Sequence, residues 1–242
     1  KLVSTVKLQK AKTRAESAKP YFQKMYDTVQ SILSKSGNIE HPYLTFNGSE
    51  KKAVIVVTSN RGLAGGYNAN VFREAAKYPD AEFIPIGKRA CERYSAEVNS
   101  SEKYPSADAY DLAKKLCAEF KNGEFGKLGI ISTHYVSMMT QEATVQWVLP
   151  LEKEESQSGV GTVFEPNEEY ILDTAVPEYV TGIIFGAVRE SYTCEVVARR
   201  TAMDSAGKNA QQMIDDLRLQ YNRARQGAIT QEITEIIAGS GA

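Results

Sequence analysis

The stretch from Pro177 to about Ala238 is the feature that most limits how this chain can fold. It contains no second proline, and its few glycines are widely separated. Proline breaks helices and glycine weakens them, so the run predicts one helix of about 60 residues, roughly 90 Å long. Pro177 suits the first turn of that helix. Because a compact domain is much narrower than this, we expect the helix to project.

Apolar side chains recur at helical spacing near both ends of the chain. Near the C-terminus they form a largely alanine seam of Ala202, Ala206, Ala210, Met213, Leu217, Tyr221, Ala224 and Ala228. Near the N-terminus a second seam alternates steps of three and four residues through Leu8, Ala11, Ala15, Ala18, Phe22, Met25, Val29 and Ile32. Such seams are typical of helices that pack along each other. We therefore predict a long antiparallel coiled coil of the N- and C-terminal helices.

The middle of the chain has the pattern of an inserted, Rossmann-like α/β domain. Continuous or alternating apolar runs predict strands over residues 53–58, 82–87, 128–135 and 144–150, and helices over 68–76, 88–97 and 108–122. Only a short turn separates the last two strands, which predicts an antiparallel hairpin, whereas strand–helix–strand order predicts parallel pairing elsewhere. The predicted segments are an N-terminal coiled-coil helix (1–50), an α/β domain (51–166) and a C-terminal coiled-coil helix (167–242).

The charge is distributed unevenly. The whole chain carries a formal charge of −1, yet residues 1–36 contain eight basic and two acidic side chains, or +6, which leaves −7 for the rest. A basic arm suits nucleic acid, a membrane surface or an acidic protein, and it is equally consistent with a solvated helix face. No uninterrupted apolar run approaches about 18 residues, which predicts no membrane span. Lys1 opens in mid-pattern, so we expect the natural N-terminus to lie upstream.

Few residues suggest chemistry. Cys91, Cys117 and Cys194 are odd in number and widely spaced, which favours a reducing compartment over a disulfide framework or a zinc site. His134 lies beside two hydroxyl residues, but the chain lacks a GxSxG nucleophile elbow, so a structural role is favoured. Asp215 and Asp216 are helix neighbours that diverge in direction. We predict no catalytic residue, no metal and no cofactor.

One glycine-rich segment resembles a phosphate loop by its position alone. Gly62, Gly65 and Gly66 lie between a predicted strand and a predicted helix. The segment lacks the Lys-Ser/Thr pair of a P-loop and the spacing of GxGxxG. We therefore interpret it as a structural glycine turn in preference to a nucleotide site.

Three motifs carry a resemblance to a known family. The run LQYNRARQGAITQEITEI at 219–236 closely resembles the gamma subunits of rotary F-type ATP synthases, and so do RTAMDSAGKNA at 200–210 and TSNRGLAGGYN at 58–68. The opening Lys1-Leu2-Val3-Ser4 is similar to part of the family's N-terminal helix, about two dozen residues after the start of that helix. The motifs extend over almost the whole chain, and the first is highly specific.

The resemblance implies a non-catalytic rotor subunit of a proton-translocating ATP synthase. It implies a shaft of the two terminal helices inside a ring of alpha and beta subunits. The α/β lobe would lie at the foot, bound by the epsilon subunit and resting on the membrane c-ring, on the cytoplasmic face of a bacterial membrane. No nucleic-acid partner is implied. Ala64 stands where many members have cysteine, and the paired-cysteine insert of plant members is absent, which argues against thiol regulation.

The resemblance also assigns partner-binding residues. Arg225 and Gln226 match residues that face the catch loop of a beta subunit, and Thr230 and Glu232 lie one to two turns further on. Residues 225 and 232 share a helix face, while 226 and 230 form the adjacent row. The segment at Phe164 and Glu165 matches one that contacts the polar loops of the c-ring. Without the resemblance, the four residues at 225–232 would be interpreted as solvated helix residues, and Phe164 and Glu165 as part of an ordinary loop-to-helix junction.

Two other functions are open at this point. The first is an α/β nucleotide-binding enzyme or sensor with a dimerising coiled coil, which nucleotide binding by the isolated chain would favour. The second is a nucleic-acid-binding coiled coil that uses the basic arm, which steeply salt-dependent DNA binding would favour.

Overall fold

A computed structural model describes residues 9, 13, 20, 23–33, 41–137, 140–152 and 167–241. The chain divides into two compact units, Lys1–Arg200 and Thr201–Ala242. The elements are a helix α1 over 23–33, β1 (Lys52–Val57), α2 (Tyr67–Ala75), β2 (Ala81–Ile86), α3 (Lys88–Arg93), α4 (Ser106–Lys121), β3 (Lys127–Tyr135), β4 (Gln141–Leu149) and α5 (Glu168–Ser240). The three-segment division at residues 50 and 166 stays a prediction.

The first unit contains a mixed four-stranded sheet in the order β2-β1-β3-β4. β1 pairs in parallel with β2 and β3, so that Val54 lies opposite Phe83 on one side and Gly129 on the other. β3 and β4 pair antiparallel. The predicted α/β class and the hairpin are confirmed. Helix α3 is shorter than predicted, because Ser95 adopts a left-handed φ of 54° that a continuing helix does not allow.

Helices cover both faces of the sheet. On one face Val54 and Val56 pack with residues of α2 and α3. On the other face Ile55 joins the larger cluster, which includes Phe120 of α4 and Leu172 of α5. Successive side chains of a strand point to opposite faces, so the continuous apolar run of β1 supplies both layers at once.

Helix α5 begins earlier than the sequence predicts. It starts at Glu168, so Pro177 lies inside the helix and not in its first turn. An internal proline lacks the N–H of one helical hydrogen bond, at a cost of about 3 kcal/mol. The turn before it compensates by packing, because Leu172 and Val176 are fully buried. Packing of these side chains in the core therefore outweighs the preference of Pro177 for the first turn of a helix.

The same helix also meets the length and composition of a membrane span. One 18-residue stretch of α5 has a mean hydropathy of 1.3 although its apolar residues are interrupted by polar ones, and 44% of that stretch is buried. A core helix satisfies the same criterion, and α5 places Leu172, Val176 and Val180 in the large cluster. The apolar stretch is weak support for a span.

The described part of the N-terminal seam contacts α5. Val29 and Ile32 are buried in the cluster that contains Leu172, and the Tyr26 ring lies 6.0 Å from the Tyr179 ring. Seam residues Leu8, Ala11, Ala15, Ala18 and Phe22 lie outside the described residues. The antiparallel direction of the coiled coil stays a prediction.

Candidate functional site

The glycine turn that joins β1 to α2 has a specific backbone geometry. Leu63 and Gly65 both adopt left-handed conformations, with φ of 62° and 58°. Glycine tolerates this region freely, whereas for leucine it is strained. Gly66 is the N-cap of α2 at an ordinary φ of −79°. The turn therefore holds Leu63 in a strained conformation, with its side chain 80% exposed.

A short polar network closes the turn. The Ser59 hydroxyl donates to the Arg61 carbonyl oxygen at 2.7 Å. The Ser59 backbone N–H donates to Asn68 Oδ1 at 3.1 Å, and Asn68 Nδ2 donates to Ser59 Oγ at 2.8 Å. Because Ser59 is fully buried, these bonds also satisfy groups that water does not reach.

The carbonyl oxygens of the turn face a guanidinium group from α5. Arg199 Nη2 donates to the Arg61 oxygen at 3.1 Å and to the Gly62 oxygen at 3.4 Å, and Nε donates to the Gly62 oxygen at 3.4 Å. A phosphate loop presents N–H groups to its ligand. These carbonyls instead bind a cation of the protein itself, which supports the interpretation of Gly62, Gly65 and Gly66 as a structural turn.

Arg199 also pairs with a buried carboxylate. Its Nη1 lies 2.7 Å from Glu195 Oε1, and the Glu195 side chain is only 5% exposed. Burial raises the pKa of Glu195, while Arg199 opposes that shift. One arginine therefore connects a buried carboxyl group on its own helix to the backbone of the glycine turn.

Further hydrogen bonds join α5 to α2 and to the end of β3. The Tyr67 hydroxyl donates to the Ser191 carbonyl oxygen at 3.1 Å, and the Thr133 N–H donates to Ser191 Oγ at 2.9 Å. Glu190 accepts from the Tyr135 N–H at 3.2 Å. We call this group the polar socket: Arg61, Gly62, Tyr67, Thr133 and Tyr135 on the α/β side, and Glu190, Ser191, Glu195 and Arg199 on α5.

Sequence reasoning missed the polar socket. His134, interpreted as structural, lies at its edge with Nδ1 3.2 Å from Glu190 Oε2. The one local signal was the pair of Glu195 and Arg199 at i,i+4. The other partners lie 55 to 138 residues apart along the chain and leave no such signal.

The second unit carries the predicted catch-loop residues. Arg225, Gln226, Thr230 and Glu232 are all exposed on α5. The Thr230 hydroxyl donates to the Gln226 carbonyl oxygen at 2.8 Å, which ties two of the four together. Large apolar side chains of the same unit are also exposed: Met213, Leu217, Tyr221, Ile229, Ile233 and Ile236. Exposed apolar side chains along a helix are typical of a surface that binds another protein.

The remaining predicted sites are simpler. Phe164 and Glu165 lie outside the described residues. Cys91, Cys117 and Cys194 are buried free thiols. Among the residues that the structure describes, no group of three or more His, Cys, Asp or Glu side chains could hold a metal ion.

Comparisons with known proteins agree on one family. The family model described as ATP synthase matches residues 1–242. An ATP synthase gamma chain from Lachnoclostridium phytofermentans is 43% identical and covers 100% of this chain and 91% of its own length. One from Staphylococcus saprophyticus is 34% identical, covering 99% and 90%.

Solved structures share the fold. The central stalk and c-ring structure of the Tetrahymena thermophila mitochondrial ATP synthase contains a chain with a TM-score of 0.62 and 18% identity, covering 85% of this chain and 96% of that one. A chain in the Euglena gracilis mitochondrial ATP synthase structure gives a TM-score of 0.61 at 18% identity, covering 98% and 95%.

Proposed function

This chain belongs to the ATP synthase gamma family, and we propose that, as the central-stalk rotor, it couples rotation of the membrane ring to the catalytic sites through different parts of α5. A gamma chain is a subunit of the synthase and not its catalytic subunit. The observation that carries the proposal is the change in burial along the 73 residues of α5. Leu172, Val180 and Val188 are fully buried, whereas Leu217, Tyr221 and Ile233 are more than half exposed.

The partners follow from this division. The exposed seam of the second unit would be covered by alpha and beta subunits. The α/β part would bind the epsilon subunit and the c-ring. Both named relatives are bacterial, which supports a peripheral position on the cytoplasmic face of a bacterial membrane. The proton is the proposed coupling ion, as the family resemblance of the sequence implies.

The proposed beta-subunit contact is a polar cluster of Arg225, Gln226, Thr230 and Glu232. Arg225 offers a planar fork that can pair a carboxylate at two points, and Gln226 adds an amide. Such contacts can form with one beta subunit at a time and break as the shaft turns. They would make the three catalytic sites unequal without performing chemistry.

A double substitution tests this cluster. Replacing Arg225 and Gln226 by Ala is expected to lower multisite ATP turnover of the reconstituted complex by roughly tenfold, the effect of losing one charge-assisted contact. Both side chains are exposed, so the subunit stays folded. The matched control is Arg218→Ala with Gln220→Ala, an exposed pair on the same helix. If the test variant hydrolyses ATP and couples protons as the parent does, the polar cluster has no role in coupling. Torque would then pass through the general steric fit of the shaft.

Crosslinking tests the foot. Cysteines placed at Phe164 or Glu165 are expected to crosslink to the c-ring in the assembled complex, whereas a cysteine at the exposed Lys114 of α4 serves as the control. The native thiols are buried and do not interfere. Crosslinks to alpha or beta alone would reject this placement.

A further inference from the structure

The polar socket lies where α5 would have to transmit torque to the α/β part of its own unit. Before the socket, α5 is held by a row of buried apolar side chains four residues apart, among them Val176, Val180 and Ile184. Apolar contacts are non-directional, so a small rotation of the helix that keeps these side chains buried costs little. Hydrogen bonds depend on angle as well as distance, so they resist such a rotation.

The socket bonds extend around the helix. At about 100° per residue, Glu190, Ser191 and Arg199 point over about 180° of the circumference of α5. Glu190 meets β3, Ser191 meets β3 and α2, and Arg199 meets the glycine turn. Tyr192, further round, donates to Glu102 at 3.2 Å. Rotation of α5 in either direction would therefore stretch several directional bonds at once.

The central bonds are well protected from water. Glu195 is 4% exposed, Tyr67 is 5% exposed, and Ser191 is fully buried. Burial raises the pKa of Tyr67, which keeps its hydroxyl protonated as a donor. The ion pair of Arg199 and Glu195 lies in such surroundings, where a charge-assisted bond is stronger than at a surface and breaking it leaves a buried group unpaired. The bond from Arg199 to the Arg61 oxygen is exposed, so it contributes direction more than strength.

We propose that the polar socket is the torsional lock of this rotor, with Arg199 as the positioning residue that fixes the rotational setting of α5 against the glycine turn. The proposal rests on the rotor function. It assigns the turn 61–66 a mechanical role: the turn presents two carbonyl oxygens to one guanidinium, in a conformation that its left-handed residues impose. Loss of the lock would let α5 twist under load without abolishing assembly.

The test removes the lock without leaving a buried charge. The double variant Arg199→Met with Glu195→Gln replaces both partners of the pair by uncharged side chains of similar size. Both are replaced because deleting one partner alone would leave the other unpaired in a buried position. The complex is reconstituted into liposomes, and protons pumped per ATP hydrolysed are measured with and without an opposing proton gradient. Arg199→Lys retains the charge without the planar fork. Arg73→Ala, an exposed arginine of α2 with a local hydrogen bond, is the control.

We expect the double variant to assemble and hydrolyse ATP, but to pump about threefold fewer protons per ATP under the opposing gradient, with Arg199→Lys intermediate and Arg73→Ala at the parent value. A purely structural role would lower the yield of complex and leave protons per ATP unchanged, which overturns the proposal. If the double variant does not assemble, Tyr67→Phe, which removes one hydroxyl, must show a smaller loss in the same direction. A parent chain that supports no coupling would instead refute the rotor function itself.

Discussion

His41 is an ionisable side chain in the core of the first unit. Its Nδ1 accepts a hydrogen bond from the Tyr43 N–H at 3.3 Å, and its Nε2 lies 3.2 Å from Asp173 Oδ1. Burial lowers the pKa of His41 below 6.5, and this outweighs the opposing effect of Asp173. The folded chain therefore holds His41 in its neutral form.

This burial makes stability depend on pH. Below about 6.5 the unfolded chain binds a proton at His41 that the folded chain does not, so stability is lost as pH falls from 6.5 through the lowered pKa. The slope is at most about 1.4 kcal/mol per pH unit. We expect His41→Gln to reduce the difference in unfolding free energy between pH 7.5 and 5.5, measured by urea titration of the full chain. An unchanged difference would show that His41 does not contribute.

The cysteine thiols are a second case of burial controlling chemistry. Burial raises the pKa of Cys117 and of Cys194 to about 12, and Cys91 is fully buried. Since the thiolate is the reactive form, we expect no labelling of the native chain by iodoacetamide at pH 7.5 and labelling of all three after unfolding. Leu63→Cys, at an 80% exposed position, provides the reactive control. Rapid labelling of the native parent chain would contradict this expectation.

At the scale of elements, the junction between β2 and α3 depends on one glycine. Gly87 has a φ of 97°, and a Cβ atom there would lie 2.2 Å from the Thr58 carbonyl oxygen. Its N–H also donates to Asn99 Oδ1 at 2.7 Å, which fixes the returning loop. The end of β1 and the start of α3 can approach this closely only because the side chain is absent.

Gly87→Ala is therefore expected to cost more than its backbone conformation alone. Gly123 is the matched control, because its φ is 78° and a Cβ atom there would meet nothing within 4 Å. We expect Gly123→Ala to lower the free energy of unfolding by about 1 kcal/mol and Gly87→Ala by about 3 kcal/mol or more. Equal losses of unfolding free energy for the two variants in denaturant titrations would show that the Thr58 backbone can move away from the added Cβ atom without cost.

At the scale of the whole molecule, the two units differ in how their helical hydrogen bonds are protected. In the first unit α5 is covered by side chains of the core, with Val180 and Val188 fully buried. In the second unit almost all of its described side chains are exposed to solvent. A helix whose apolar side chains are exposed opens easily, since most helical stability in proteins comes from packing of an apolar face.

Hydrogen exchange measures this difference directly. In the free chain we expect amides of residues 205–235 to exchange at least about a hundredfold faster than those of 176–196. In the assembled synthase we expect the two stretches to become comparable, because partners then cover the exposed seam. Similar protection of 205–235 in the free and assembled chains would argue that the second unit is stable without partners.

Most of the architecture could be predicted from the sequence because its signals are local. The buried run of β1, the alternation in β4 and the long run without proline after Pro177 are each recognisable from neighbouring residues. The resemblance pointed to the family for the same reason, since its motifs are contiguous. The start of α5 could not be predicted, because packing of Leu172 and Val176 outweighs the local preference of Pro177.

The polar socket was decided by the tertiary structure alone. Arg199 and Gly62 are 137 residues apart, and neither the glycine turn nor the i,i+4 pair of Glu195 and Arg199 indicates the other. Their meeting depends on how α5 lies against the carboxyl ends of β1 and β3, which is a property of the folded core. By itself the sequence determined the strands, the long helix and the family. Only the fold decided which polar groups hold that helix, because a bond between distant residues is specified by the packing of everything between them.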